Sequence, residues 1–182
     1  MKKYPKINSF VKTAILLLTI TLLSACDKDE PTCQGVDCLP PATQTGAGTF
    51  GCLVNGVPFV DNSGRFNCFY QLVNGKYYFG LTASVNRNDF VQIDIGSLKA
   101  ELIVGDISLL ERVDTKFYAW LTFNCICPQA KTSTIQPGLL QVTKFDIQNR
   151  IISAKFTFTI TNPTTGVIYK ITEGRFDSKF TQ

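Results

Sequence analysis

Val73-Asn74-Gly75-Lys76-Tyr77-Tyr78-Phe79-Gly80-Leu81-Thr82-Ala83-Ser84-Val85 is the stretch that decides the fold class of this 182-residue chain. Tyr77, Phe79, Leu81, Ala83 and Val85 alternate with Tyr78, Gly80, Thr82 and Ser84, the period of two that sends apolar side chains to one face of a strand and polar ones to the other. Asn74-Gly75 stands at its head, and Asn-Gly between strands is a strong hairpin signal because both turn residues must take positive φ. Asn55-Gly56 repeats that signal earlier, and Asn162-Pro163-Thr164-Thr165-Gly166 supplies a longer turn late in the chain. A second alternating run, Ile152, Ala154, Phe156, Phe158 and Ile160 against Ser153, Lys155, Thr157, Thr159 and Thr161, reads the same way.

Working outward from these runs, strands are expected near 49–54, 57–60, 65–73, 76–85, 90–96, 100–104, 115–125, 139–146, 150–161, 167–173 and 175–180. The one stretch with any helical character, Ser97–Arg112, is interrupted by Gly105-Asp106, and Ile103, Val104 and Ile107 favour strand. The fold class is therefore all-β: an antiparallel sandwich or a meander barrel of about ten strands. Within it, Phe50-Gly51-Cys52 should begin the first core strand, with Gly51 admitting a neighbouring strand closely. Gly174 should be a bulge or a corner that lets Phe176 and Phe180 face inward on the last strand. Arg175 and Asp177, two apart and on one face, read as a surface pair contributing ~0–1 kcal/mol.

The N-terminus has a different character. Residues 1–25 hold Lys2, Lys3, Lys6 and Lys12 and no acid, then the apolar run from Ala14 to Leu23, then Ser24 and Ala25. That order is a secretory signal, and the apolar run is too short for the ~20 residues that span a bilayer. Leu23-Ser24-Ala25-Cys26 resembles the lipobox of bacterial lipoproteins, which implies cleavage before Cys26, lipidation of its thiol and a membrane partner reached through that lipid. Asp27-Lys28-Asp29-Glu30 reads as a solvated linker start and also resembles the surface-export signal of some Gram-negative lipoproteins, so the expected location is the outer membrane, lipid-anchored, facing either the periplasm or the cell surface. Residues 26–48, rich in Pro, Gly, Thr, Gln and Asp, read as a disordered tether, leaving 49–182 as a single all-β domain.

Seven cysteines less Cys26 leave six, an even number that suits an oxidising compartment. Cys33 and Cys38 can close a local loop. A bond between Cys125 and Cys127 is disfavoured by the strain of so small a ring, so Cys52 and Cys68 are expected to bond one each of that pair. A metal site there is not expected, because Cys125-Ile126-Cys127 lacks both a CxxC pair and any histidine partner.

Leu39-Pro40-Pro41-Ala42-Thr43-Gln44-Thr45-Gly46, Thr49-Phe50-Gly51-Cys52-Leu53-Val54-Asn55-Gly56, Ile151-Ile152-Ser153-Ala154-Lys155-Phe156-Thr157-Phe158 and Ile171-Thr172-Glu173-Gly174-Arg175-Phe176-Asp177 together resemble a domain-of-unknown-function family of small Gram-negative lipoproteins. The resemblance implies location and fold. The family has no established activity, so it transfers no catalytic or binding residue.

The chemistry of the chain is defined as much by what is missing. With no histidine, every mechanism that needs an imidazole is removed. The fourteen acids show no paired spacing beyond the tether cluster, and no glycine-rich loop precedes a helix to cradle a phosphate. No catalytic residue, cofactor or metal is expected. The net charge of +4 belongs to the leader: eighteen basic residues less its four lysines leave fourteen against fourteen acids, and a neutral remainder gives no basic surface for nucleic acid. The residues with an outward role are aromatic. Phe117, Ala119, Leu121 and Phe123 take one face of their strand and leave Tyr118 and Trp120 on the other, with Tyr78 outward on a different strand, as a candidate contact surface for an extracellular protein or glycan. The functional expectation is a non-enzymatic envelope or cell-surface binding or structural module. Its alternative is a lipocalin-like carrier with an internal apolar cavity.

Overall fold

A computed structural model of the chain describes residues 33–85, 92–123 and 129–182. Eleven strands carry it: β1 (Thr49–Val54), β2 (Val57–Val60), β3 (Asn67–Val73), β4 (Lys76–Ser84), β5 (Gln92–Ser97), β6 (Gly105–Leu110), β7 (Phe117–Thr122), β8 (Ala130–Lys131), β9 (Gly138–Asp146), β10 (Ile151–Thr161) and β11 (Ile168–Lys179). They form one sheet in the order β2-β1-β11-β10-β9-β6-β7-β5-β4-β3, with β8 beside β7. The sheet curls into a half-barrel, which resolves the alternative of sandwich or barrel. Its far edge comes back to the chain just past β11: Thr181 bridges Phe69, accepts from the Tyr70 N–H and donates its own N–H to the Cys68 carbonyl.

The local reasons are those of the sequence. The β1–β2 and β3–β4 hairpins turn on Asn55-Gly56 and Asn74-Gly75, with φ of 50° and 81° in the first and 50° and 72° in the second. Both are the double-positive turn that matches strand twist. Along β4, Phe79, Leu81 and Ala83 are buried while Gly80, Thr82 and Ser84 are half-buried. Along β10, Ile152, Ala154, Phe156, Phe158 and Ile160 are all buried. The late turn is held by the Asn162 side-chain oxygen, which accepts from the Thr164 and Thr165 N–H groups.

The inward face is filled by rings. Phe50 packs on Phe59, Phe66 and Phe156 at centroid distances of 5.8, 6.1 and 5.2 Å, and Phe176 packs on Phe79 and Phe156 at 6.4 and 6.5 Å. Each such side chain, fully buried, contributes ~1.5–3 kcal/mol through area removed from water. At the end near the C-terminus Tyr70 stacks on Tyr77 at 4.9 Å and meets Phe145 and Phe180 edge-on. Phe176 and Phe180 do face inward, as the bulge at Gly174 requires.

Five expectations need correction. No strand forms over 100–104: Leu102 is buried and its N–H goes to the Tyr70 hydroxyl, while Lys99 and Gly105, at φ of 52° and 120°, turn the chain at either end of that loop. The strand begins instead at Gly105, and β6 runs parallel to β7, so the sheet is mixed and not wholly antiparallel. The expected strands 167–173 and 175–180 are one continuous β11, whose register shifts against both β1 and β10 around Glu173 and Gly174. A side chain at Gly174 would place its Cβ 2.4 Å from the Phe156 ring, so glycine is what lets the bulge lie against β10. Finally, the compact unit runs from Gln34 to Gln182, so residues 34–48 are not a loose tether. Leu39 is buried, Pro40 crosses β1 where a Cβ on Gly51 would come within 2.6 Å of it, and the neighbour Gly51 admits is this segment and not a strand. Cys33 and Cys38, flanking the 3₁₀ turn Gly35–Cys38, are disulfide-bonded.

Candidate contact surface

Alternation on β7 buries Phe117, Ala119 and Leu121 and sends Tyr118 and Trp120 outward. What those two rings meet is set by the neighbouring strands. Gly96 of β5 pairs with Tyr118 on one side and with Gly80 of β4 on the other, and a Cβ on Gly96 would lie 2.8 Å from the Tyr118 hydroxyl oxygen. The glycine lets the tyrosine lie flat over β5. Trp120 stacks on it at 5.0 Å with a 20° interplanar angle, and the Arg112 guanidinium stands 5.5 Å from the Tyr118 ring and 5.1 Å from the Trp120 ring. A cation so placed is attracted by both ring faces.

The indole is fixed at its polar end as well. Trp120 pairs across β5 with Asp94, whose carboxylate accepts the indole Nε1–H and also bonds from the Thr82 hydroxyl at 2.7 Å and the Gln92 amide at 2.7 Å. Asp94 is 8 % exposed and has its charge met by donors alone. Tyr118 is likewise 8 % exposed, while Trp120 is half-buried. The surface is thus a clamped aromatic pair presenting the indole, and not the open three-ring platform expected. Tyr78 stands apart from it, two strands away and opposite Gln71. Arg112 and Asp94 are neighbours of the pair that the sequence alone did not point out. Asp94 interrupts the apolar pair Ile93 and Ile95, which marks it as outward, but nothing local says that Trp120 lies opposite.

A second polar centre lies on the other wall. Asp177, on β11, is 1 % exposed. One carboxylate oxygen accepts from the Gly46 N–H at 2.8 Å and the Ser153 hydroxyl at 2.7 Å. The other accepts from the Thr43 hydroxyl at 2.6 Å, the Thr45 N–H at 2.9 Å, the Thr45 hydroxyl at 3.2 Å and the Ala47 N–H at 3.1 Å. Burial pushes this carboxyl up, but the bonds from Thr43, Ser153, Thr45 and Ala47 outweigh it and hold it well below the usual carboxylate range. The surface pair expected with Arg175 does not form: Arg175 turns to Glu173, donating from Nε to its carbonyl at 3.1 Å and from Nη2 to its carboxylate at 3.4 Å. Asp177 is the latch that holds residues 43–47 against the sheet.

The remaining predicted positions fall as follows. Cys26, Cys125 and Cys127 lie outside the described residues. Cys52 and Cys68 are both buried, on β1 and β3; Cys68 carries a free thiol, so the disulfide expected for it does not form, and burial pushes that thiol up to about 12 against a smaller opposing effect of the Ser178 hydroxyl. Among the described residues no three His, Cys, Asp or Glu side chains gather as a metal site, and no helix is long and apolar enough to cross a membrane. Compared with family models, curated proteins and solved structures, the chain gives no match.

Proposed function

We propose that this chain is a lipid-anchored, non-enzymatic binding protein of the Gram-negative outer membrane, meeting an extracellular protein or glycan on the outside of its curled sheet. The observation that carries the reading is the Tyr118–Trp120 pair: an indole fixed in place by Arg112 and Asp94, with part of its ring open to solvent, offers apolar area at little entropic cost. The ring-on-ring packing of Phe50, Phe79, Phe156 and Phe176 across the concave face supports contact from outside over the carrier alternative, which needs that space open. The leader and Leu23-Ser24-Ala25-Cys26 support the anchor.

Two measurements test it. Cells expressing the full chain are fed an alkyne fatty acid; the chain should take up the label and sediment with membranes, and Cys26→Ser should do neither. Equal labelling of the two chains removes the anchor. Binding to a panel of envelope glycans and surface proteins should drop at least tenfold on Trp120→Ala, while Tyr78→Ala binds as the parent does. A partner bound equally by Trp120→Ala removes the aromatic pair from the reading.

A further inference from the structure

The outer face of β9, β10 and β11 carries a rung whose charges do not balance. Reading across the sheet, Gly51, Arg175, Lys155, Gln141 and Asp106 are successive partners on β1, β11, β10, β9 and β6. Arg175 and Lys155 are therefore directly opposite, the position at which like charges repel and destabilise an antiparallel pair. Arg175 is turned by its two bonds to Glu173. Lys155 is exposed, and no carboxylate among the described residues comes within ion-pair distance of it. Of the two acids of β11 near this rung, Glu173 is paired with Arg175 at 3.4 Å and Asp177 is saturated by the segment it latches, so Lys155 is left without a carboxylate.

Beside this pair lies a groove of about 270 Å³, lined by Lys155 and Arg175 together with Glu173, Gln141, Leu139 and Ala42. The latched segment supplies Ala42 as one of its walls. Gln141 donates its amide to Asp106 at 3.0 Å, which leaves its carbonyl oxygen as an acceptor. The Glu173 carboxylate is a second acceptor. Two cations, two acceptors and an apolar wall in a space of this size match a small hydroxylated molecule bearing one oxyanion.

We propose that this groove binds the anionic group of a sugar-sized hydroxylated ligand, the oxyanion lying between Lys155 and Arg175 and the hydroxyls donating to Gln141 and Glu173. The bound anion removes the repulsion between the two cations. The site is separate from the aromatic pair and deepens the binding-protein reading by naming a ligand class; it does not depend on the anchor, so a failed fatty-acid label leaves it standing.

The test is calorimetric titration of the full-length chain, in detergent, with galacturonate, glucose 6-phosphate and uncharged galactose. Either anion should bind where galactose does not, and the two arms separate a carboxylate from a phosphate ligand. Lys155→Gln should weaken the bound anion about tenfold, Lys155→Arg should retain it, and added salt should weaken it. Lys155 is exposed, so its replacement leaves the core packing in place, and thermal melting gives an independent readout: without ligand, Lys155→Gln should melt above the parent, because the repulsion is gone. The proposal is overturned if neither anion binds more tightly than galactose, or if Lys155→Gln binds the anion as well as the parent and melts no higher.

Discussion

Asp177→Asn tests the latch at its single point of failure. The carboxylate accepts six bonds, three of them from backbone N–H groups of Thr45, Gly46 and Ala47. An amide in its place must turn its NH2 toward one side. On one side it faces the Gly46 N–H; on the other it faces those of Thr45 and Ala47, so at least one buried donor meets a donor. Hydrogen bonds to a charged group contribute ~1.5–3 kcal/mol each, and bonds sharing one hub do not add fully, so the expected loss is about 4 kcal/mol. At ~2–4 °C per kcal/mol for a chain of this size, the melting temperature should fall by roughly 10 °C. Hydrogen exchange should show the amides of residues 45–47 losing protection first, since the local latch opens before the sheet. The pH dependence has a definite sign. The folded carboxyl is held below its unfolded value, so the unfolded chain takes up the proton first. The latch's contribution is complete at neutral pH, begins to fall as the pH drops below ~4, and is lost as the pH passes down through the folded value. The parent should therefore lose stability between about pH 5 and 2 more steeply than Asp177→Asn. A variant within ~1 kcal/mol of the parent, with residues 45–47 still protected, would refute the reasoning.

Three further outcomes follow from the packing. Gly174→Ala places a Cβ against the Phe156 ring and carbonyl, at 2.4 and 2.5 Å, and should cost ~1–3 kcal/mol in urea unfolding by overpacking; an unchanged midpoint would mean that the bulge is not tightly packed. Arg112→Ala uncovers the Tyr118 and Trp120 rings, so acrylamide should quench Trp120 more strongly, with a stability loss of ~0.5–2 kcal/mol; unchanged quenching would show that the guanidinium does not cover the indole. In the folded chain Cys68 should not react with a thiol reagent at pH 8, because burial raises its pKa to about 12; stoichiometric labelling before unfolding would contradict that.

The sequence by itself determined the local structure, because its signals act within a few residues. Period-two alternation in β4 and β10, and the Asn-Gly pairs that accept positive φ, give strands and hairpins whatever the rest of the chain does. It also determined which side of β7 carries Tyr118 and Trp120. What only the tertiary structure decided depends on partners far apart in the chain. Residues 39–48 look like tether on composition, yet they are ordered by a carboxylate 130–134 residues away. Asp94 and Arg112 look like ordinary polar residues until the register between β5 and β7 and the loop after β6 bring them to the indole. Lys155 and Arg175 are unremarkable singly; they become a site because antiparallel pairing sets them face to face. Side-chain periodicity is written along one strand, whereas register and loop placement follow from the cost and gain of closing the whole sheet.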